Sequence, residues 1–449
     1  MIRRMFLTGV LMGGVLWLCP LVPGSAVEDP PALILSLDQA VEAATAQSLS
    51  LQKSALDLNA AHYAATHLWS ELFPSISAGA GVSYGTPLGT GEGFHLEKSG
   101  FGYSVSAGIS LSLQGGLPSA MNIIRLAYQT ELLNYEQARQ QLAVQVTKTF
   151  YTLLTDKNRL AFLQETLDLA EKQREKSRIA FAYGLIGELS YLQTQLSVET
   201  AKLDLYKAQS AYDTALTEFL LLLGLGYEQT GKTRQVVLEG SLVIEPWEAD
   251  PETLIHQYLA QRPDIQSMRQ QIEGLQAEER RTILNTRSPS LSLSVQWRGT
   301  GGGSEEFSDN LSGNVSLSIP LDPWIPGTKN SQTITKAGAA VEKARLDLKN
   351  TEHTAMSQIR SLAANLRSSW ESLAIARLRA EIAERTYTLT EQGFQQGTVE
   401  FLELENTRSK WTESRQQLMD GELAYALMIL DMEAALNRDR RSMEYHGTE

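Results

Sequence analysis

After Cys19 the sequence contains no cysteine. That excludes a disulfide framework, Cys-ligated metal and thiol redox chemistry from everything downstream. Cys19 itself follows Trp17-Leu18, where a lipid-modified leader would place a small residue before its cysteine. Long apolar runs are missing too. Beyond the first 21 residues the best is Phe219–Leu223, far short of the ~18 or more that a membrane-crossing helix needs. Basic residues are in the minority, 39 Lys+Arg against 52 Asp+Glu for a net charge of −13, which argues against nucleic acid as a partner. The 6 histidines are dispersed, and His62 and His67 stand five apart, off the shared helical face that i,i+4 ligands require. No Ser/His/Asp set has a nucleophile turn. The sequence therefore offers no catalytic, cofactor or metal site, and the expectation is a protein that is not an enzyme.

What is present begins with an export leader. Arg3 and Arg4 precede an apolar run from Met5 to about Leu21, and Pro23-Gly24-Ser25-Ala26 suits cleavage after Ala26. Loss of residues 1–26 would leave 37 basic side chains against 52 acidic ones, a net of −15. The remainder says nearly the same thing twice. Gly184, Ala211-Tyr212 and Leu223-Gly224 match Gly397, Ala424-Tyr425 and Leu436-Asn437 at one offset, 397 − 184 = 213. Upstream, Ala46-Gln47 pairs with Ala260-Gln261 and Pro74 with Pro289, so a residue or two has been gained or lost. So long a period marks a duplicated half-molecule, not a solenoid.

Each half carries a pair of alternating segments near its start. In Ser75–Tyr84 the residues Ile76, Ala78, Ala80, Val82 and Tyr84 share one face, and Ser75, Ser77, Gly79, Gly81 and Ser83 the other. Phe101–Gln114 alternates in the same way, as do Ser290–Trp297 and Asn314–Ile319. Strands of roughly 10 residues with apolar and small polar faces are what a membrane barrel requires, with lipid outside and water inside. Alternation alone equally fits a hairpin on a soluble sheet. The polar face favours the barrel, because it is Ser and Gly with almost no charge. Gly85–Gly100 and Gly299–Asp309 read as loops at the hairpin tips. Tyr84, Phe101, Tyr103 and Trp297 near strand ends, and Trp324 beyond the last strand, suit an interfacial girdle. Two hairpins cannot close a barrel, since the smallest need about 8 strands, so the chain is expected to oligomerise in outer-membrane lipid.

The rest is helical. From Pro118 to about Ala182 there is no interior Pro or Gly, and apolar residues return at three and four. About 65 residues at 1.5 Å each give a rod near 100 Å. Gly184 breaks it, and a return helix runs from about Glu188 to Leu223, with Gly224 as C-cap. The second half repeats this from Gly327 to Gln396, Gly397, and a return to Leu436 with Asn437 as cap. Shorter helices, about Leu49–Leu72 and Asp264–Arg287, enter the strands, with Asp264 placed to cap the second. About 24 residues entering plus about 37 returning nearly equal one unbroken rod, so each half should be two parallel rods. A coiled-coil scaffold or tether without a pore has the same periodicity and stays open. Gly226–Thr233 spells a phosphate-binding loop pattern, but it follows a helix cap where a working loop follows a buried strand, which makes it a chance match.

Six segments in this order resemble the TolC family of outer-membrane efflux proteins. They are Leu35-Ser36-Leu37-Asp38-Gln39-Ala40, Phe73-Pro74-Ser75-Ile76-Ser77, Tyr183-Gly184-Leu185-Ile186, Arg262-Pro263-Asp264, Val315-Ser316-Leu317-Ser318-Ile319-Pro320-Leu321, and Gly397-Thr398-Val399-Glu400-Phe401-Leu402-Glu403-Leu404. The resemblance implies a mostly α-helical, internally duplicated protomer, three of which build an α-helical barrel and a 12-stranded β-barrel. On this reading 27–48, 226–262 and 437–449 form an equatorial belt. Residues 49–72, 118–224, 264–287 and 327–436 line the periplasmic tunnel, and 75–114 and 290–321 are the membrane strands. The implied partners are a periplasmic adaptor and an inner-membrane transporter of an efflux or type I secretion system. The adaptor would dock at Tyr183-Gly184-Leu185 and Gln396-Gly397-Thr398, where the family has Val-Gly-Leu and Val-Gly-Thr. The family's periplasmic gate, two aspartates latched by an aromatic and an arginine, maps to Glu403, Asn406, Phe394 and Val399. Only Glu403 keeps the family's charge; three copies around an axis would favour cations.

Overall fold

A computed structural model describes residues 33–85, 88–89, 95–96, 100–225, 236–242, 244–247, 250–302 and 305–437. The expected leader, the Gly226–Thr233 pattern and the last twelve residues lie outside them. The elements run β1 (Leu33–Leu35), α1 (Leu37–Gln47), α2 (Leu49–Thr66), β2 (Ser75–Gly85), β3 (Leu88–Gly89), β4 (His95–Leu96), β5 (Gly100–Leu113), α3 (Leu117–Ala182) and α4 (Glu188–Leu222). The second half follows with β6 (Val236–Leu238), α5 (Pro251–Tyr258), α6 (Pro263–Arg287), β7 (Ser290–Gly302), β8 (Glu305–Ser318), α7 (Lys329–Gln395) and α8 (Phe401–Leu436). No described helix is long and apolar enough to cross a membrane.

The long helices end by one device. Gly184, Gly224 and Gly397 take φ of +70°, +75° and +75°, and Asn437 takes 57°, the left-handed region that a glycine or asparagine enters at least cost. The chain then folds back on the last turn: Leu185 N donates to Ala180 O (2.8 Å) and Thr398 N to Gly393 O (2.9 Å). Both returns restart four residues after the glycine, at Glu188 and Phe401, so the duplication extends to the turn geometry.

The four long strands form one antiparallel sheet in the order β2-β5-β7-β8. Its register puts like with like. Ser75, Ser110, Ser294 and Asn314 make one row and Gly79, Ser106, Arg298 and Asn310 another, all on the polar face. Leu111, Leu293 and Val315, or Ala78, Ala107, Trp297 and Leu311, make rows on the apolar face. The helices repeat the order of the strands they join. Both α2 and α4 pack on α3, α3 packs on α6 and α8, and these on α7, so the protomer is a four-rod wall in which α2 with α4, and α6 with α8, each make one rod. The broken rods are joined end to end. A Cβ on Gly224 would strike the backbone of Gln47, where α4 meets α1 and α2. There Leu51, Phe150, Phe219, Leu223 and Leu238 form a buried core with the parallel β1–β6 pair. At the second joint Leu254, Ile255, Tyr258, Ile359, Met432 and Leu436 do the same.

Three local expectations are corrected. Gly299–Asp309 is not a loop: β7 continues to Gly302 and β8 starts at Glu305, with Gly299 opposite Asp309 and Thr300 opposite Ser308. Gly299 and Gly301 lack side chains because the rings of Phe307 and Tyr103 lie over them. The helix entering the first hairpin stops at Thr66, and Leu68–Leu72 is a tighter turn. Asp264 does not cap α6; Arg262 is the capping residue, with Pro263 in the first turn. Instead the Asp264 carboxylate takes bonds from Arg262 Nε (3.1 Å) and Nη2 (2.8 Å) and from Ile265 N (2.9 Å). Arg262, 8 % exposed, also donates to the terminal carbonyl of Ala435 (2.9 Å) and to Gln358 (3.2 Å), tying α6, α7 and α8 together.

Burial works to raise the pKa of Asp264, but the Arg262 hydrogen bond and charge outweigh it and hold the carboxyl below its usual range. Stability from this pair is therefore fully present above about pH 4 and is lost as pH falls through the depressed value. Arg262→Ala leaves a half-buried carboxylate and a helix-end carbonyl without partners. It should lower unfolding free energy by about 3 kcal/mol, read by denaturant titration of circular dichroism; a loss within error of zero contradicts the joint.

Candidate functional site

The sheet is one half of the site. Its apolar face exposes Ile76, Val82, Tyr84, Phe101, Tyr103, Val105, Ile109, Val295, Leu311, Val315 and Leu317, far more than a water-facing sheet tolerates. Aromatic rings mark both ends of that face. Tyr84 meets Phe101 (4.8 Å) and Tyr103 stacks near Phe307 (6.4 Å) at the tip. At the base Trp69 meets Phe73 edge-on (5.5 Å), and Arg287 lies over Trp324 (4.9 Å). From Phe101 to Leu113 is about 40 Å along the strand at ~3.3 Å per residue; tilted by ~45° this covers about 28 Å, close to the ~25 Å apolar band of an outer-membrane barrel. The opposite face is hydroxyl and glycine, with cross-strand contacts such as Ser75 Oγ to Ser110 Oγ at 2.6 Å.

The helix tips are the other half. Tyr183 and Leu185 are 78 % and 76 % exposed on either side of Gly184, and nothing lies within 4 Å of where a Gly184 or Gly397 side chain would start. The second turn is polar: Gln396 caps α7, and Thr398 Oγ1 donates to Gly393 O (3.0 Å). Of the four positions mapped to a gate, Glu403 and Asn406 are exposed on α8. Phe394 packs edge-on against Phe401 (6.1 Å), and Val399 sits on Gly393. These two close their own turn, and no hydrogen bond joins any of the four mapped side chains among the described residues.

A different cluster does join the two halves just above the tips. Arg408 on α8 pairs with Glu405 (2.5 Å) and donates to Ser197 on α4, whose hydroxyl also bonds Glu405 (3.1 Å). One turn beyond Arg408, Trp411 stacks flat on Tyr387 of α7 (5.1 Å, 4°) and edge-on against Phe162 of α3 (5.3 Å, 79°). Burial, then the nearby Glu391 charge, pushes the Tyr387 phenol up to about 12, so it stays neutral. The i,i+3 spacing of Glu405 and Arg408 was legible in the sequence; their reach to Ser197, in the other half, was not. Farther along the rods the ion pairs Lys148–Asp431 and Arg159–Asp420 also cross between the halves, partly exposed and worth at most about 1 kcal/mol each. No group of three His, Cys, Asp or Glu residues fit for a metal occurs among the described residues.

The sequence profile described as "Outer membrane efflux protein" matches residues 40–225 and 254–438, the two halves of the duplication. The chain belongs to the outer membrane efflux protein family. Members are channels, not enzymes, and the protein resides in the outer membrane with its helices extending into the periplasm. It is similar to outer membrane protein TolC of Escherichia coli K12, 20% identical over 423 residues, 89% of this chain and 82% of that protein. TolC of Salmonella enteritidis is 19% identical over 417 residues, with the same coverage. Among solved structures it resembles the CmeC outer membrane channel of Campylobacter jejuni, at TM-score 0.70 and 17% identity over 91% of this chain and 88% of that one. The open-state MtrE channel of Neisseria gonorrhoeae gives 0.65 and 16% over 90% and 89%. The Gly226–Thr233 pattern falls between the two matched blocks.

If the Ser197–Glu405–Arg408 contact pins the halves together, Arg408→Ala should speed amide hydrogen exchange in residues 191–200 and 401–411 by about tenfold, the equivalent of a lost 1–2 kcal/mol charged hydrogen bond. Glu403→Gln should leave it unchanged. Equal exchange in the two variants would contradict the assignment.

Proposed function

We propose that three copies of this chain close into an outer-membrane exit duct that passes substrates, without energy input of its own, from a periplasmic adaptor and an inner-membrane transporter to the outside. The observation that carries this is the agreement of two orders. Strand order β2-β5-β7-β8 and rod order α2/α4, α3, α6/α8, α7 leave the same two edges uncovered, β2 with α2/α4 on one side and β8 with α7 on the other. Both edges carry exposed apolar stripes at heptad spacing. On α2 these are Leu49, Leu56 and Tyr63, on α4 Leu189, Leu192, Leu196, Leu203 and Tyr206, and on α7 Ile375, Leu378, Ile382 and Leu389. The α4 and α7 stripes begin at similar distances from their turn glycines, so one edge fits the other on a neighbouring copy. Three such walls give twelve strands and a bore.

The hydroxyl face of the sheet lines that bore and the apolar face meets lipid. At the periplasmic end the adaptor docks on Tyr183-Gly184-Leu185 and Gln396-Gly397-Thr398, the first apolar and the second polar. Glu403 supplies the charge of the narrow end, where three carboxylates in a low-dielectric wall focus the field toward cations. Asn406, Phe394 and Val399 cannot supply the family's charged latch, and the Ser197–Glu405–Arg408 contact takes its place in holding α7/α8 against α3/α4. A tether without a pore has no use for a small-residue, nearly uncharged face on a membrane sheet.

Leu196→Glu with Leu203→Glu places two charges in the α4 stripe and should abolish the trimer on native mass spectrometry while circular dichroism stays helical; a surviving trimer would count against the seam. In planar bilayers Glu403→Gln should lower the cation-to-anion permeability ratio, and an unchanged reversal potential would remove the ring from the account.

A further inference from the structure

The polar face of β2, β5, β7 and of β8 from Ser308 onward carries one charge, which neither the tips nor the joints account for. Arg298 of β7 stands on the polar face, in the row that also holds Gly79, Ser106 and Asn310. Every other polar-face position on β2, β5 and β7, and on β8 from Ser308 to Ser318, is Ser, Gly, Thr, Asn or Gln. Arg298 is exposed, and among the described residues it has no ion pair, no hydrogen bond and no aromatic ring beneath it. The nearby acids do not neutralise it. Asp309 lies on the apolar face, where Trp297 Nε1 donates to it (3.2 Å), and Glu306, near the outer end of β8, is four residues from Asn310, the partner of Arg298, about 13 Å along the strand. Gly79 and Ser106 beside it keep the wall low, so the guanidinium has room to reach off the sheet.

We infer that Arg298, repeated around the bore, is a selectivity residue for anions, drawing cargo that bears carboxylate, sulfonate or phosphate groups through the β-barrel. This rests on the duct reading above. A guanidinium stays charged across the whole physiological range and offers a planar fork that matches carboxylate and phosphate oxygens. Confined by lipid-backed walls, three such charges in one plane raise the local concentration of anions. The belt acts apart from Glu403, because a helix of ~100 Å separates barrel from tips while the Debye length is ~8 Å at physiological salt. The duct thus has charges of opposite sign at its two ends, each readable from its own side.

The test uses the purified full chain in planar bilayers, with the trivalent anion hexacyanocobaltate(III) added to each side in turn. Block is expected from the barrel side. Arg298→Gln should raise the half-blocking concentration by about tenfold or more, while Arg298→Lys and Glu403→Gln should retain the wild-type value. Wild-type current insensitive to the trianion, or block of equal strength in Arg298→Gln, overturns the anion site and leaves the duct standing. A wild-type protein that inserts yet carries no current overturns both.

Discussion

Backbone amides on an open strand edge have no water to bond to inside a bilayer, and each one left unpaired costs several kcal/mol. This chain has two such edges, β2 and β8, on a sheet whose apolar face is built for lipid. Everything else follows from the need to cover them. Each strand runs directly into its own rod, so the order set by strand pairing is imposed on the helices, and the helical wall ends in the same two places as the sheet. The apolar stripes of α4 and α7 then answer at the periplasmic level the demand that the amides make in the membrane. A ring of copies would satisfy both at once.

Inside one wall, stability is concentrated at the two joints where the broken rods meet. There the buried clusters around Phe150 and Phe219, and around Ile359 and Met432, fix the rods end to end, and Arg262 ties the second joint through four hydrogen bonds. Toward the tips the packing is spread over smaller contacts: the ring pairs Phe181–Tyr191 and Phe394–Phe401, the buried Leu167, Ala170 and Val198, the Ser197–Glu405–Arg408 contact and the Trp411 stack.

Much of this was legible in the sequence because it rests on local rules. The offset of 213 announced the duplication, alternating Ser and apolar residues gave the strand faces, and Gly184 and Gly397 marked the turns to the residue. What failed were positions where a distant partner decides. Gly299 and Gly301 look like loop glycines but are seats for rings on neighbouring strands. Asp264 looks like a cap but is claimed by Arg262, which reaches on to α8. Positional mapping onto the family places Phe394 and Val399 at the gate; within one protomer Phe394 packs on Phe401 and Val399 on Gly393. One contact that crosses between the halves near the tips joins Ser197 to Arg408, 211 residues apart, which no spacing rule connects.

If one protomer's two uncovered edges match each other, electron cryo-microscopy of the full chain in lipid nanodiscs will show a threefold ring in which β2 of each subunit is hydrogen-bonded to β8 of the next, α4 lies against the neighbour's α7, and the serine face surrounds an open bore. Isolated protomers in the membrane, or a ring in which that face is packed against protein with no bore, would contradict it.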